Sequence, residues 1–284
     1  MIEQALQLLK NQYGEFTPIR LTGGYTNETF LLKGTAPSLV AKVSSLYNQD
    51  VQNEIHCLNL TKETGITPKV HKFIQTKSSQ VTIMEYLDGI NGQSIIDRND
   101  IEGTKKLYKS LGRTLAKSIH SQPYQPNTNR IKECNLNKLS LDLDFVPEHL
   151  RKDSKKLLQG INDLQENWVL THGDYGVHNV LYSEHLLTVL DWEWSEWANP
   201  LTDIGWVCWF TKLHYPKLAS SLNSLFLNEY LTHRPVHLSP DVLKAYCVYK
   251  VWKVLHRVMK APVEVQKEWV RRLEWTLETE LLDI

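Results

Sequence analysis

The sequence predicts an α+β protein of two lobes, a β-rich N-terminal lobe over residues 1–88 and a mostly helical C-terminal lobe over residues 89–284. Three observations carry this. Short runs suited to strands, PIRLT, ETFLLK and SLVAKVS, crowd the chain before residue 46, separated by Gly23-Gly24 and by the Gly34 to Pro37 stretch. After Gly92 the texture changes, and Leu107, Leu111, Leu115 and Ile119 recur four apart as the stripe of an amphipathic helix. From Pro200 onward the pattern is helical to the end.

The remaining elements follow in order. Ile2, Ala5, Leu6, Leu8 and Leu9 lie at roughly helical spacing, and residues 49–63 form a second helix with Val51, Ile55 and Leu58 on one face. The apolar run VTIMEYL (81–87) closes on the turn Asp88-Gly89. Residues 103–120 form the striped helix, and 121–137, rich in Asn, Pro and Gln, read as a loop. Three strand-like pieces come next: WVLTH, NVLY and LLTVLD.

Bulk properties bound the function. With 284 residues, 42% hydrophobic and 23% charged, the chain has the make-up of a soluble protein able to bury a real core. Lysine plus arginine equals aspartate plus glutamate at 32 each, so a nucleic-acid partner has no support. No run approaches the roughly 20 apolar residues of a membrane span, and Glu3 interrupts what a secretory signal would keep apolar. Cys57, Cys134, Cys208 and Cys247 are scattered with no CxxC pair, as expected of reduced thiols in a cytoplasmic protein.

The chemistry concentrates in THGDYGVHNVLYSEHLLTVLDWEW (171–194). Asp174 and Asn179 are five apart, and Asp191 closes a third apolar run twelve residues later. If NVLY and LLTVLD pair as a hairpin across Ser183-Glu184-His185, Asn179 and Asp191 share one end, with Asp174 on the loop leading in. Such oxygen ligands suit magnesium, and an unliganded Asp beside it can accept a hydroxyl proton, as phosphoryl transfer requires. Each residue alone is more simply a turn cap; three in this order favour chemistry. A zinc or di-metal hydrolase built on His172, Asp174 and His178 is the rival, but no further His cluster and no HExxH follows. His172 reads as a buried hydrogen-bonding residue and His178 as a loop residue.

Upstream, Gly23 and Gly24 sit at a bend where backbone N–H groups can approach phosphates. Lys42 interrupts an apolar run, either at an exposed edge or reaching for an anion, and Glu54 on the next helix can pair with it. Glu63 stays open as a stand-in.

In this order, LTGGYTNETF, LVAKV, NEIHCLNL with GITPKV, MEYLDG, LAKSIH, HGDYGVHNVLY, LDWE and NPLTDIGW resemble the aminoglycoside phosphotransferase and choline kinase group. That group is the small-molecule branch of the protein-kinase-like fold, and the kinase catalytic loop has the same Asp-to-Asn spacing. The resemblance implies a bilobal protein-kinase-like fold and ATP-dependent transfer of a phosphoryl group to a small-molecule hydroxyl, with Mg2+. It implies Asp174 as the catalytic Asp, Asn179 and Asp191 as metal ligands, and Lys42 on the nucleotide phosphates with Glu54 as its ion-pair partner. It places Gly23, Gly24, Thr26 and Asn27 over the phosphates and Glu85 and Leu87 at the adenine hinge. His172 and Asp203 would support the catalytic loop. No family-typical Gly follows Asp191.

The acceptor is less defined. Trp192, Trp194, Trp197, Trp206 and Trp209 fall within eighteen residues, with Glu193 and Glu196 among them. Aromatic faces and acids hold amines, so Glu193, Trp194 and Glu196 are candidates for an amine-bearing acceptor such as an aminoglycoside or amino alcohol. Core packing of the tryptophans is the alternative. Choline, homoserine and sugar kinases, and an idle nucleotide-binding member, stay open.

Overall fold

Helix α1 (Ile2–Tyr13) opens the chain, with Ala5 and Leu9 four apart and fully buried. It packs on the sheet through β5 (Ser79–Glu85); the other strands are β1 (Thr17–Arg20), β2 (Glu28–Lys33), β3 (Leu39–Ser45) and, after α2 (Asp50–Thr61), β4 (Val70–Gln75). The five strands form one antiparallel sheet in the order β1-β2-β3-β5-β4. This computed structural model describes residues 2–21, 27–126, 131–161, 165–183 and 186–282.

Alternation along β3 positions the first functional residue. Leu39, Ala41 and Val43 face one side and join Leu9, Phe30, Leu32, Val81 and Ile83 in a core of their own. Val40 faces the other side and joins Cys57 and Leu58 of α2 in the main core. Lys42 shares that second side because strand side chains repeat every two residues.

The rest of the chain runs through β6 (Ile90–Asn91), α3 (Gly92–Asp97), α4 (Ile101–Thr114), β7 (Lys132–Glu133), α5 (Glu148–Gln159) and β8 (Val169–Thr171). It continues with β9 (Val180–Ser183), β10 (Leu186–Val189), β11 (Glu196–Ala198), α6 (Leu201–His214), α7 (Ala219–His233), α8 (Pro240–Arg257) and α9 (Val263–Glu278). Small sheets β10-β9-β6 and β7-β11-β8 carry the loops of the site. Gly112 lets α4 press against α7, since a Cβ there would lie 2.4 Å from the Phe226 carbonyl oxygen. Helix α8 starts at Ser239, whose hydroxyl caps Val242 N–H, with Pro240 at the first helical position. It then crosses the core with Leu243, Tyr246, Cys247, Val251, Trp252 and Leu255 fully buried.

The striped helix expected over 103–120 is α-helical only to Thr114; beyond it one turn widens, and His120 N–H bonds the Leu115 carbonyl at 2.9 Å. Strands β4 and β6 and helix α5 go beyond the sequence reading. Among the described residues no helix is long and apolar enough to cross a membrane.

Candidate active site

The hairpin forms. β9 and β10 pair antiparallel with Val180 opposite Val189, and Leu190 N–H bonds the Asn179 carbonyl at 2.8 Å. Asn179 and Asp191 therefore share one end of it; its turn residues 184 and 185 lie outside the described residues. Asp191 takes a left-handed backbone with φ 63°, an uncommon choice for a non-glycine residue.

The loop before the hairpin is braced from below. Asp203 on α6 accepts the N–H groups of His172 at 2.7 Å and Gly173 at 2.8 Å, and His120 Nε2 lies 3.2 Å from it. Tyr230 OH meets the other nitrogen of His120 at 2.8 Å. Burial pushes the Asp203 carboxyl up, but its bonds to His120 and the backbone outweigh that and hold it below the usual range. Burial also keeps His120 and His172 below the ordinary imidazole value, hence neutral. His172 then has one orientation: its Nε2–H donates to the Leu190 carbonyl at 2.9 Å, and Nδ1 accepts Asp174 N–H at 3.2 Å. Gly173 has φ 79°, and a Cβ there would lie 2.2 Å from the Trp194 carbonyl oxygen, so only glycine fits.

Asp174 is held on both carboxylate oxygens. Trp206 Nε1–H donates to Oδ1 at 2.8 Å; Asn179 Nδ2 donates to Oδ2 at 2.9 Å, with His178 Nε2 3.4 Å from the same oxygen. Burial alone would raise this carboxyl, but His178, Lys250 and His172 together bring it well below the usual range. Its side chain keeps 30% exposure, so the carboxylate still faces solvent. Asn179 also donates to the Asp174 carbonyl at 2.9 Å, which leaves its amide oxygen for another partner.

The sheet supplies the opposing wall. Lys42 Nζ reaches Glu54 at 2.9 Å and Asp191 at 2.7 Å, joining the two lobes through one ammonium. Burial would strip its charge, but Glu54, Asp191 and Glu193 more than offset this and hold its pKa above the ordinary lysine value. Glu63 pairs with Lys62 at 3.9 Å on the surface, so Glu54 is the partner. Asn27 donates to Glu193 Oε2 at 2.9 Å and accepts from Ser44 and Asn48. Gly23, Gly24 and Thr26 lie outside the described residues. At the end of β5 the Glu85 carboxylate turns back to accept Lys69 N–H at 2.8 Å, and Tyr86 N–H bonds the Ser38 carbonyl at 3.0 Å. Leu87 follows just beyond the strand. Asn53 of α2 crosses to the other lobe: its amide donates to the carbonyls of Glu193 at 3.3 Å and Ser195 at 2.8 Å and accepts Lys132 N–H at 3.0 Å.

The three residues expected to hold an amine are engaged within the chain. Glu196 is 2% exposed and bonded to Lys253 at 2.7 Å, and Glu193 meets Arg257 at 3.4 Å besides Asn27. The Trp194 ring lies 3.7 Å from the Arg257 guanidinium carbon, 4.7 Å from Lys250 Nζ and 5.6 Å from Lys253 Nζ. The chain's own cations lie against the Trp194 face and pair with Glu193 and with Oε2 of Glu196, whose buried Oε1 has no partner among the described residues.

Sequence reasoning missed Lys250, Trp206 and the closeness of His178 to Asp174. The signal was available in part: Lys250, Lys253 and Arg257 recur at i, i+3 and i+7 along the helix.

The donor set fits a hard cation. Asn179 and Asp191 present oxygens at one rim, and magnesium takes one or two protein oxygens together with substrate phosphates. Among the described residues no group of three or more His, Cys, Asp or Glu is placed to hold a metal, so the zinc-hydrolase rival gains nothing from the geometry.

A β-sheet packed on a helical lobe, with a lysine–glutamate pair facing the Asp174, Asn179 and Asp191 constellation, defines the kinase-like phosphotransferases. The chain belongs to the phosphotransferase enzyme family, whose profile matches residues 17–236. No curated protein sequence matches it. Among solved structures it is similar to an amicoumacin kinase bound to AMP-PNP, Ca2+ and amicoumacin, at 13% identity and TM-score 0.73, covering 99% of this chain and 95% of that one. A spectinomycin phosphotransferase with ADP and spectinomycin is 16% identical at TM-score 0.69, covering 99% and 98%. A choline/ethanolamine kinase family protein from Mesorhizobium loti is 16% identical at TM-score 0.67, covering 98% and 95%. At these identities the likeness shows a shared protein-kinase-like fold.

Proposed function

We propose that the protein is an ATP-dependent O-phosphotransferase acting on a hydroxyl of a small molecule, a cytoplasmic enzyme divided into a nucleotide lobe (1–88) and an acceptor lobe (89–284). The observation that carries this reading is the bridge at one rim, where Lys42 holds Asp191 across the cleft while Asn179 holds Asp174.

Lys42, fixed by Glu54, binds nucleotide phosphates as a permanent cation. The backbone around Glu85 and Leu87 meets the adenine. Asn179 and Asp191 would hold magnesium, which neutralises charge on the phosphates when bound. Asp174 accepts a hydrogen bond from the acceptor hydroxyl and aligns its oxygen. A carboxylate held so far down in pKa is a weak base, so its main contribution is orientation, with proton uptake late in the transfer. The acceptor oxygen bonds to the γ-phosphorus as the bond to the β,γ-bridging oxygen breaks, ADP leaves, and the hydroxyl proton passes to Asp174. ADP release with a mixture of hydroxyl compounds tests the reading; no turnover under any acceptor, with no nucleotide binding, overturns it.

A further inference from the structure

Helix α8 carries a charge where its neighbours are all apolar. Lys250 is 1% exposed, between fully buried Cys247 and Val251. Its Nζ lies 4.7 Å from the Trp194 ring centre and 5.2 Å from that of Trp206. Among the described residues that ammonium has aromatic faces for neighbours but no hydrogen-bond acceptor. Asp174, Glu196 and Asp203 act on it from further off and Lys253 opposes them, and burial prevails, pushing its pKa down to about 8. A buried ammonium with no carboxylate bonded to it is costly, and an anion that arrives with a ligand would lower the cost.

Trp206 connects this lysine to the chemistry. The indole whose face carries the ammonium donates its N–H to Asp174 Oδ1, while Asn179 holds Oδ2. Lys250 therefore touches the indole that bonds one oxygen of Asp174, while Asn179 bonds the other. Lys253 and Arg257 continue the same helix face across Trp194 toward a cavity of about 220 Å³, lined also by Lys132 and His256. Those cations have carboxylate partners in Glu196, Glu193 and Asp50. Lys250 has none within hydrogen-bond distance.

We propose that Lys250 receives an oxyanion of the acceptor, so that the acceptor is a hydroxyl compound bearing an acidic group rather than an amine. This rests on the phosphotransferase reading above. The cation stripe on α8 then sets acceptor choice by meeting the acid and repelling amines.

The test is a matched panel offered to the intact protein with Mg-ATP: hydroxy acids (serine, homoserine, glycerate), the amides of the same compounds, phosphorylated alcohols, amino alcohols and an aminoglycoside. The expected result is turnover of a carboxylate or phosphate compound, the two separating the source of the oxyanion, with kcat/KM at least tenfold above its neutral counterpart. Lys250→Met should lower kcat/KM for the acid roughly 100-fold, mainly through KM, and collapse the preference over the amide. Preference for amino alcohols or the aminoglycoside overturns the proposal while leaving the kinase reading intact. An equal loss on acid and amide through kcat, the mark of contact with the transferring phosphoryl group, also overturns it. Absence of turnover with every class overturns the proposal, and absence of nucleotide binding besides overturns the kinase reading as well. Should the variant fold poorly, the wild-type panel alone decides.

Discussion

Two buried lysines flank the catalytic loop and its hairpin and behave in opposite ways. Lys42 lies between two carboxylates at 2.9 and 2.7 Å, and its pKa is raised. Lys250 lies on two indole faces with no carboxylate bonded to it, and its pKa falls to about 8. Burial acts alike on both; the neighbours decide the sign. The nucleotide side is electrostatically complete before any ligand arrives, whereas the acceptor side holds a cation in need of a partner. A site with one finished wall and one unfinished wall is selective at the unfinished one.

The largest effect falls where the two walls meet. Asp174→Asn should lower kcat by roughly 10²–10⁴-fold, as for loss of a positioned base, with nucleotide affinity nearly unchanged by titration. Near-normal turnover would show that the carboxylate is not at the reacting centre.

On the finished wall, Lys42→Met leaves Glu54 buried without its cation and should destabilise the fold by roughly 3–5 kcal/mol in chemical denaturation. Adding Glu54→Met should restore most of that stability but not nucleotide binding. If the single variant is as stable as the wild type, the completeness of that wall is an illusion.

On the unfinished wall the sign reverses. The drop from 10.5 to about 8 corresponds to roughly 3 kcal/mol of charging cost, of which stacking on the indoles offsets roughly 1–2 kcal/mol. Lys250→Met should therefore stabilise the protein by roughly 1–2 kcal/mol at pH 7 while impairing acceptor use. Below pH 8 both folded and unfolded lysine are protonated and the cost is fully present. Between about 8 and 10.5 the unfolded chain keeps a proton that the folded chain has lost, so wild-type stability gains on the variant as pH rises. A variant that melts lower at pH 7 would mark Lys250 as structural.

The smallest effect concerns the link between the walls. Trp206→Phe keeps the ring but removes the donor to Asp174 Oδ1 and should cost about tenfold in kcat, the worth of one hydrogen bond to a charged group. Measured with the Lys250 variant in a double-mutant cycle, it should show coupling.

The parts legible in the sequence were those where local pattern and chemistry coincide. The hairpin bearing Asn179 and Asp191 was readable because two apolar runs flank the polar turns, and Lys42 because it breaks a strand. Strand β4 was not: at the sheet edge its side chains, His71 and Lys72 among them, are largely exposed, so it lacks the alternation of a half-buried strand. Helix α5 buries Leu150, Ser154 and Leu158, and the serine interrupts the stripe that would have announced it. The cation face of α8 was hidden for another reason. A lysine in a helix reads as a surface residue, and only tertiary packing reveals the indoles around it. The same packing gives Glu193, Trp194 and Glu196 partners that are distant in sequence.

Asn53 has a consequence for how the lobes are joined. Its amide rivets α2 to the backbone of Glu193, Ser195 and Lys132, and Cys57 and Leu58 of the same helix belong to the main core. The helix bearing Glu54 is thus tied through Asn53 to the backbone of the helical lobe. Both carboxylates that meet Lys42, Glu54 at 2.9 Å and Asp191 at 2.7 Å, are therefore anchored to the same backbone framework, and the sheet reaches both through a single ammonium.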